Sequence, residues 1–239
     1  MSKVPPTVSI GLFVYNGAET IHNALDSLLN QTFTDFELII SDNASTDETG
    51  DICREYAKHH ERIRYIRQPS NLGAEGNLSF VLRQAVGDYF MWAAADDTRS
   101  PDFIRECLAI LSGDSHCVFA STPNCFEGHE DDSSQHISFS LRGDPFQRMN
   151  EFMKICMQTH GCFDALMRRE NLLTFFKDDL KSFLACDWTV MIHMLLQGTF
   201  RRTTKGLLVI GKDGASRQPD FFRKKRTRWI ELFIPFYCF

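Results

Sequence analysis

Two adjacent carboxylates, Asp96 and Asp97, are the residues of this sequence best suited to bind a cation. They follow the apolar run 89–95, which is typical of a buried strand in a parallel sheet. Two like charges about 4 Å apart repel by roughly 1 kcal/mol in water and roughly 4 kcal/mol at an effective dielectric constant of 20. Because Ser100 and Pro101 are suited to cap and begin the next helix, the acids are not needed there. They form either a site for a metal and a phosphate or a solvated turn.

Two further aspartates stand where a site could form. Asp42 follows the apolar segment 36–41, and Asp187 lies near the start of the apolar helical segment 183–197. Open α/β sheets bind ligands at the carboxyl ends of their strands, so Asp42 is either a ligand-binding group or the acceptor of an Asx turn. Asp187, beside Trp188, is either a helix N-cap or a carboxylate that projects into a pocket.

The segments that position these acids alternate between strand and helix. Ser45 and Glu48 form a capping box for a helix that runs to about residue 60. Strands are predicted over 8–14, 36–41, 63–67 and 89–95, with helices between them that include 21–29 and 77–85. Four strands separated by helices imply right-handed crossovers and a mainly parallel central sheet flanked by helices, an α/β fold.

The second half of the chain continues this pattern less regularly. We expect the polar loop 127–135, with His129 and His136, to be mobile and not a site, since their spacing matches no metal motif. The loop 211–216 could fold over a ligand. Helices are predicted over 102–111, 151–157, 171–176 and 183–197, and strands over 117–121 and 203–210.

Composition limits the function classes. The 239 residues are 43% hydrophobic, enough for one domain with a substantial core, and the net charge of −5 argues against a general nucleic-acid binder. The glycine motifs of dinucleotide-binding and P-loop proteins are missing. Eight cysteines without a CxxC pair indicate reduced thiols in a cytoplasmic protein. We see neither a signal sequence nor an apolar stretch long enough for a membrane span.

The tail changes character. Residues 223–228 are basic, and residues 229–239 are mostly apolar and aromatic. This combination suits peripheral contact with an anionic membrane at its inner face. It equally suits a helix that packs on this domain or on a part of the protein beyond a truncated end.

Two long stretches of the sequence resemble the family 2 glycosyltransferases, an inverting group with the nucleotide-sugar-binding fold called GT-A. The first is VSIGLFVYNGAETIHNALDSLLNQTFTDFELIISDNASTD and the second is NLGAEGNLSFVLRQAVGDYFMWAAADDTRSPDF. They cover about the first 105 residues. The resemblance implies a GT-A domain over 1–222, with a nucleotide-sugar half (1–121), an acceptor half (122–222) and a separate tail (223–239).

The resemblance also implies roles for individual residues. Asp42 would accept a hydrogen bond from a uracil-type base, Asp97 with Asp96 would hold Mg²⁺ or Mn²⁺ at the diphosphate, and Asp187 would be the catalytic base. The residues that would bind the nucleotide sugar are Val14, Tyr15, Glu19, Asp42, Asn77 and Asp96.

The sequence departs from the family pattern at several positions. Ala94 replaces an acid that many relatives carry, Cys186 replaces the acid before the base, and Ala44 replaces a glycine. Lys225 stands four residues before Trp229, where processive synthases carry glutamine, so single-sugar transfer is expected.

The function expected from the resemblance is metal-dependent transfer of a sugar, with inversion, from a nucleotide donor to a saccharide or lipid-linked acceptor in surface polysaccharide synthesis. The alternatives are a nucleotidyltransferase-like enzyme and a non-catalytic module that binds nucleotide sugars or glycans.

Overall fold

The computed structural model describes residues 4–155, 161–176 and 186–212, in which apolar runs form strands and amphipathic segments form helices. The strands are β1 (Val8–Val14), β2 (Phe36–Asp42), β3 (Ile63–Arg67), β4 (Tyr89–Ala94), β5 (Thr98–Arg99), β6 (Cys117–Ser121), β7 (Asn124–Phe126), β8 (Leu166–Arg168), β9 (Thr199–Arg202) and β10 (Leu208–Ile210). The helices are α1 (Ile21–Leu29), α2 (Thr49–His59), α3 (Gly73–Gln84), α4 (Phe103–Gly113), α5 (Pro145–Ile155), α6 (Arg169–Phe175) and α7 (Cys186–Gln197). The alternation of four strands with helices predicted for the first half is confirmed.

A seven-stranded sheet runs in the order β3-β2-β1-β4-β8-β6-β9. The strands β3, β2, β1 and β4 are parallel, and β8 is antiparallel to both of its neighbours. Val14 pairs with Asp42, and Phe13 pairs with Ala94, so these strands end at one edge of the sheet. The predicted, mainly parallel α/β architecture is therefore confirmed, and it brings the segments after β1, β2 and β4 together.

A small second sheet lies next to that edge. Its order is β5-β10-β7, and it pairs Thr98 with Val209 directly after the Asp96–Asp97 turn. The strand predicted over 203–210 is shorter in the structure, because only β10 (Leu208–Ile210) is a strand and the chain turns before it at Gly206, whose φ is +81°. The preceding strand, β9, ends at Arg202 and belongs to the other sheet.

Strand β4 is buried on both faces, as its lack of polar alternation predicts. Phe90 and Trp92 pack in one apolar cluster, and Met91 and Ala93 pack in another. Helices α1 and α4 contribute to the Met91 cluster, while α3 and α7 contribute to the Trp92 cluster. Since both faces of β4 are covered, the carboxylates at its end are held by a rigid element.

The segment that leads into β4 packs so closely on β1 that it requires glycine at position 87. A Cβ atom at this position would lie 2.8 Å from the backbone nitrogen of Ser9, and backbone cannot move as a side chain can. We expect Gly87→Ala to lower the free energy of unfolding by about 1–3 kcal/mol in urea titrations. Gly113→Ala is the matched control, because a Cβ atom at that position would meet no described atom within 4 Å and alanine favours a helix. Equal stability of the two variants would contradict this packing.

Two predicted helix caps are wrong. The hydroxyl of Ser45 accepts a hydrogen bond from Asn16 N at 2.9 Å, and α2 begins at Thr49. The hydroxyl of Ser100 accepts from Leu207 N at 2.9 Å. In both places the hydroxyl joins two segments that are distant in sequence. Tertiary contacts have therefore replaced the local caps that the sequence pattern indicates.

Several predictions fall outside the described residues. These include the tail 223–239, most of the loop 211–216 and the ends of two helices. The five cysteines whose side chains are described are free thiols in buried positions: Cys53, Cys107, Cys117, Cys125 and Cys162. Within the described ranges, no helix has both the length and the apolar character that crossing a membrane requires.

Candidate active site

Asp96 and Asp97 form the turn between β4 and β5, at the carboxyl edge of the large sheet. Asp97 is only 4% exposed, and its Oδ1 accepts a hydrogen bond from Gly211 N at 3.0 Å. Asp96 is less buried and packs closely on Gly211, where a Cβ atom would lie 2.7 Å from the Cβ of Asp96. The end of β10 therefore fixes both acids, and Asp96 is the more accessible of the two.

The Asp97 carboxyl lies in an environment that disfavours its charge. Burial, then the neighbouring charge of Asp164, raise the pKa of Asp97 to about 7, while Arg99 acts in the opposite direction. A carboxylate that is buried among other carboxylates is stabilised by a nearby cation. The local electrostatics thus favour a bound metal ion.

A third carboxylate, Asp164, lies in this group, and the sequence analysis did not identify it. Burial raises the pKa of Asp164, and the charges of Asp96 and Asp187 raise it further. Asp187 is exposed in the first turn of α7. The predicted metal acids and the predicted base therefore all interact electrostatically with Asp164, which lies just before β8.

Arg99 is the counter-charge of this group. Its side chain is fully buried, its Nη2 donates to the carbonyl of Trp92 at 3.0 Å, and the same nitrogen lies 3.8 Å from Oδ1 of Asp164. Among the described residues, its Nε and Nη1 are buried without a hydrogen-bond partner. A signal for Arg99 existed in the sequence, since it is the only basic residue in the segment 87–101.

The loops after β1 and β2 are joined by side chains. Gly17 N donates to the hydroxyl of Thr49 at 2.9 Å, and Ala18 N donates to Asp47 at 3.2 Å. Burial alone would raise the pKa of Asp47, but hydrogen bonds from Thr49 and Ala18 lower it below its ordinary value. Asn16 takes the left-handed φ of +52°, and its Oδ1 accepts from Thr46 N at 2.8 Å. These hydrogen bonds therefore hold the loops after β1 and β2 rigidly together.

The structure gives Asp42 an internal role. Its fully buried carboxylate accepts hydrogen bonds from Ser45 N at 2.8 Å, Tyr65 Oη at 2.8 Å and Arg67 Nη1 at 2.9 Å. Arg67 also donates to the carbonyl of Ser45 at 2.6 Å. Three protein donors bind the Asp42 carboxylate, which holds the β2 loop against the end of β3.

Asn77 also makes internal contacts. Its Nδ2 donates to the carbonyl of Ser41 at 3.0 Å, and its Oδ1 accepts from the Ser41 hydroxyl at 2.5 Å. Asn77 is 2% exposed. It therefore fixes α3 on β2.

Tyr15, Asn43 and Leu72 lie on three segments, after β1, after β2 and before α3, that hydrogen bonds join. Asn43 N donates to the carbonyl of Val14 at 2.8 Å, and Asn43 Oδ1 accepts from Leu72 N at 2.8 Å. Tyr15 is 49% exposed and Leu72 is 43% exposed. Of the predicted residues nearby, Val14 contributes this buried carbonyl and Glu19 is exposed in the following turn. The result is a rim of one aromatic and one apolar side chain around a buried amide.

A polar cavity of about 210 Å³ opens beside Asp96. Glu127, Glu130 and Lys212 contribute to its lining, together with Thr20 and Asn23 from the α1 side. Residues of the loop 127–135, which we expected not to be a site, therefore lie beside Asp96. The small sheet explains this position, because β7 pairs with β10.

Asp96 and Asp97 fit a hard divalent ion only if a bound ligand supplies further oxygen atoms to it. In the described parts of the chain, no three His, Cys, Asp or Glu side chains are grouped to hold a metal ion. Asp96 and Asp97 supply carboxylate oxygens, the ligand type that Mg²⁺ and Mn²⁺ prefer, and Asp97 is buried where a positive charge is favourable. A diphosphate would have to supply further oxygens, as is usual for Mg²⁺.

The sequence matches a known family over more than half of its length. Residues 9–175 match Glycosyl transferase family 2. Putative glycosyltransferase EpsE of Bacillus subtilis (strain 168) is 34% identical over 118 residues, or 49% of this chain and 42% of that protein. Chondroitin synthase of Escherichia coli is 36% identical over 205 residues, or 85% of this chain and 28% of that protein. The chain thus covers less than half the length of either relative.

Solved structures share the fold. Mannosyltransferase PcManGT from Pyrobaculum calidifontis, in complex with GDP-Man and Mn²⁺, matches 92% of this chain and 64% of its own with a TM-score of 0.64 at 19% identity. TarS 1-349 of S. aureus, in complex with UDP-GlcNAc, matches 87% of this chain and 60% of its own with a TM-score of 0.63 at 16% identity. These matches confirm the predicted GT-A fold.

Proposed function

The chain belongs to Glycosyl transferase family 2, and on that basis we propose that it transfers a sugar, with inversion, from a nucleoside diphosphate donor to a hydroxyl of a saccharide or glycolipid acceptor. We propose a UDP-sugar as the donor. The observation that carries the proposal is that Asp96, Asp97 and Asp187 all interact electrostatically with Asp164, which lies just before β8. Relatives named for polysaccharide synthesis support the acceptor class.

Asp187 is the general base of this proposal. Its carboxylate takes the proton of the acceptor hydroxyl while that oxygen forms a bond to the anomeric carbon. The bond from the anomeric carbon to the diphosphate oxygen breaks, and its electron pair leaves with the diphosphate. Attack from the opposite face inverts the configuration. The exposure of Asp187 suits this role, because an acceptor must reach it from solvent.

Asp96 and Asp97 would hold Mg²⁺ or Mn²⁺, which, when bound, neutralises the charge that develops on the diphosphate. Gly211 keeps Asp97 in place through its backbone N–H. The greater exposure of Asp96 lets it also face the ribose. Asp187 and Asp164 come from the second half of the chain, which supports the division into a donor half (1–121) and an acceptor half (122–222).

We place the base of the nucleotide on the rim formed by Tyr15, Asn43 and Leu72. The half-exposed ring of Tyr15 offers a stacking surface, and Asn43 lies between it and Leu72. Asp42 and Asn77 are buried and hydrogen-bonded to other protein groups, so we propose that both support the pocket and that neither contacts the base directly.

Removing the Tyr15 ring tests this placement. Stacking of a base on an aromatic side chain is worth about 1–3 kcal/mol, so Tyr15→Ala is expected to weaken binding of the nucleotide by about 5- to 100-fold. Tyr15→Phe keeps the ring and is the matched control. Calorimetry with UDP in the presence of Mn²⁺ measures both. Equal affinities of the alanine and phenylalanine variants would place the base elsewhere.

The transfer itself is tested by release of the nucleoside diphosphate. UDP-glucose, UDP-GlcNAc and GDP-mannose would each be incubated with the protein, Mn²⁺ and a panel of saccharide and glycolipid acceptors. Acceptor-dependent release of UDP or GDP, with an inverted linkage in the product by NMR, is the expected result. Binding without turnover across the panel would favour the non-catalytic module, and a retained configuration would exclude the inverting mechanism.

A further inference from the structure

We infer that Gln31, the second residue after α1, is a positioning residue for the proposed reaction. Its buried amide holds the segment that follows Asp97 and thereby fixes the Asp96–Asp97 turn that would bind the metal ion. The inference rests on the proposed function. Gln31 acts through Ser100, 69 positions later in the chain, and not on the reacting groups themselves.

The side chain of Gln31 uses both ends of its amide, and the residue is only 4% exposed. Nε2 donates to the carbonyl of Ser100 at 2.8 Å and to the carbonyl of Ser27, in α1, at 3.1 Å. Oε1 accepts a hydrogen bond from Ile104 N at 3.1 Å. Ile104 is the second residue of α4, where a backbone N–H finds no partner within its own helix. The amide therefore ties the end of α1 both to Ser100 and to the start of α4.

Ser100 is also held by the segment that leads into β10. Ser100 N donates to the carbonyl of Leu207 at 2.9 Å, and the Ser100 hydroxyl accepts from Leu207 N at 2.9 Å. Beyond this pair, β5 is hydrogen-bonded to β10, and Gly211 N donates to Oδ1 of Asp97 at 3.0 Å. The residues from Asp97 to Ser100 thus form a two-stranded ribbon with residues 207–211, and Gln31 binds the end of that ribbon.

The connection from Ser100 to the acidic turn is short. Two residues, Thr98 and Arg99, separate Ser100 from Asp97, and both belong to β5. Extended chain advances by about 3.3 Å per residue, so no flexible loop lies between them to absorb a shift of Ser100. A misplacement of about 1 Å in groups that align a reaction costs up to about 100-fold in rate. Loss of the Gln31 amide is therefore expected to disturb the metal site.

The partners of Gln31 define informative substitutions. Two carbonyl oxygens need donors and one N–H needs an acceptor, and a side-chain amide supplies both kinds of group. Methionine fills a similar space and supplies no N–H donor. Asparagine keeps the amide on a side chain one methylene shorter, so it does not span all three partners. Gln31→Met is the full removal of the contacts, and Gln31→Asn is the milder change.

Hydrogen exchange tests the positioning without any ligand. In Gln31→Met, exchange at Gly211 N, which is hydrogen-bonded to Asp97, is expected to quicken by about tenfold, the effect of losing roughly one hydrogen bond. Gln31→Asn is expected to give a smaller effect in the same direction. A purely local role of Gln31 would quicken exchange at Ile104 N and leave Gly211 N unchanged.

Calorimetry with UDP and steady-state transfer assays measure the consequence for the metal site. Both Gln31 variants are expected to bind UDP without Mn²⁺ within about twofold of the wild type, because the rim proposed for the base is unchanged. The gain in affinity that Mn²⁺ gives is expected to fall by about tenfold in Gln31→Met, and kcat by about 10- to 100-fold.

Two control variants separate positioning from stability. Thr32→Val removes the hydroxyl that donates to the carbonyl of Pro101 at 3.1 Å, but the backbone N–H of residue 32 still binds that carbonyl at 2.8 Å. It is expected to match the wild type. Ile63→Ala removes a buried side chain at the start of β3, the edge strand of the large sheet, and lowers stability. It is expected to keep the full gain from Mn²⁺.

The outcomes distinguish this inference from the proposed function. Wild-type exchange at Gly211 N together with the full gain from Mn²⁺ in both Gln31 variants would overturn the inference and leave the proposed function in place. Effects no larger than those of Ile63→Ala would also overturn it, since they would reflect stability alone. If the wild type binds no nucleotide, the proposed function fails, and exchange at Gly211 N still decides whether Gln31 fixes the turn. Gln31→Asn decides alone if Gln31→Met does not fold.

Discussion

Asp187→Asn is expected to lower the rate of sugar transfer by about 10²- to 10⁴-fold, the usual contribution of a general base. An asparagine cannot take the proton of the acceptor hydroxyl, although it keeps the shape of the side chain. Asp187 is exposed on the first turn of α7, away from the rim proposed for the base. Binding of UDP with Mn²⁺ is therefore expected to stay within about twofold, and rapid-quench or steady-state assays with the best acceptor would measure the loss of rate.

A matched control separates the loss of the catalytic base from the loss of an acid that stabilises the helix. An acid in the first turn stabilises a helix by about 0.3–1 kcal/mol, and Asp187→Asn removes that contribution together with the base. Asp51→Asn makes the same change in the first turn of α2, where the Asp51 side chain is 79% exposed. It should keep the full rate. A full rate in Asp187→Asn as well would require another base, and Asp164 would be the next candidate.

Asp97→Asn is expected to lower transfer by about 10³-fold or more, since a metal ion supplies several kcal/mol of charge stabilisation to the transition state. Burial and the neighbouring acids disfavour the charge of its carboxylate, and a cation would relieve that cost. The variant should also bind UDP equally with and without Mn²⁺. Transfer that remains dependent on Mn²⁺, at the wild-type rate, would remove Asp97 from the metal site.

The same substitution should not destabilise the protein. The pKa of Asp97 is raised from 3.8 to about 7, so the folded state binds more protons than the unfolded state between these values. Stability without metal therefore falls as the pH rises from about 4 to about 7. Asp97→Asn keeps an acceptor for Gly211 N and removes the charge, so its melting temperature at pH 8 without metal should equal or exceed that of the wild type. A clear decrease would argue against this electrostatic account.

The architecture could be predicted because it depends on continuous apolar patterns. Strands such as β1 and β4 are buried on both faces, and no other element type accommodates short runs of this kind between helices so readily. Because helices connect these strands, the strands run parallel. Parallel strands have their carboxyl ends at the same edge of the sheet. Positions at strand ends, such as Asp42, Asp96 and Asp97, could therefore be placed at one edge from the sequence pattern alone.

The contacts of individual side chains could not be predicted in the same way. Ser45 and Ser100 match local capping patterns, yet both bind segments that are distant in sequence. Asp42 and Asn77 occupy positions that the family resemblance associates with the nucleotide, but their partners are Tyr65, Arg67 and Ser41. Short polar side chains near a junction of loops have several partners of similar energy, and tertiary packing decides among them.

Asp164 escaped prediction for a different reason. It stands alone in the segment 161–168, which carries no recognisable motif, and only the pairing of β8 with β4 brings it to Arg99. The position of the loop 127–135 beside Asp96 likewise depends on the pairing of β7 with β10. When a residue reaches a site only through the pairing of strands that are distant in sequence, the residues around it contain little information that predicts its position.

Calorimetric titration of UDP into the wild-type protein, with and without Mn²⁺ and with GDP and dTDP as comparisons, tests the central claim most directly. We expect one nucleotide to bind, to depend on Mn²⁺, and to lose that dependence in Asp97→Asn. Such a result would establish the donor site and identify the donor class. No binding of any nucleotide under either condition would contradict the assignment of this edge of the sheet as a nucleotide-sugar site.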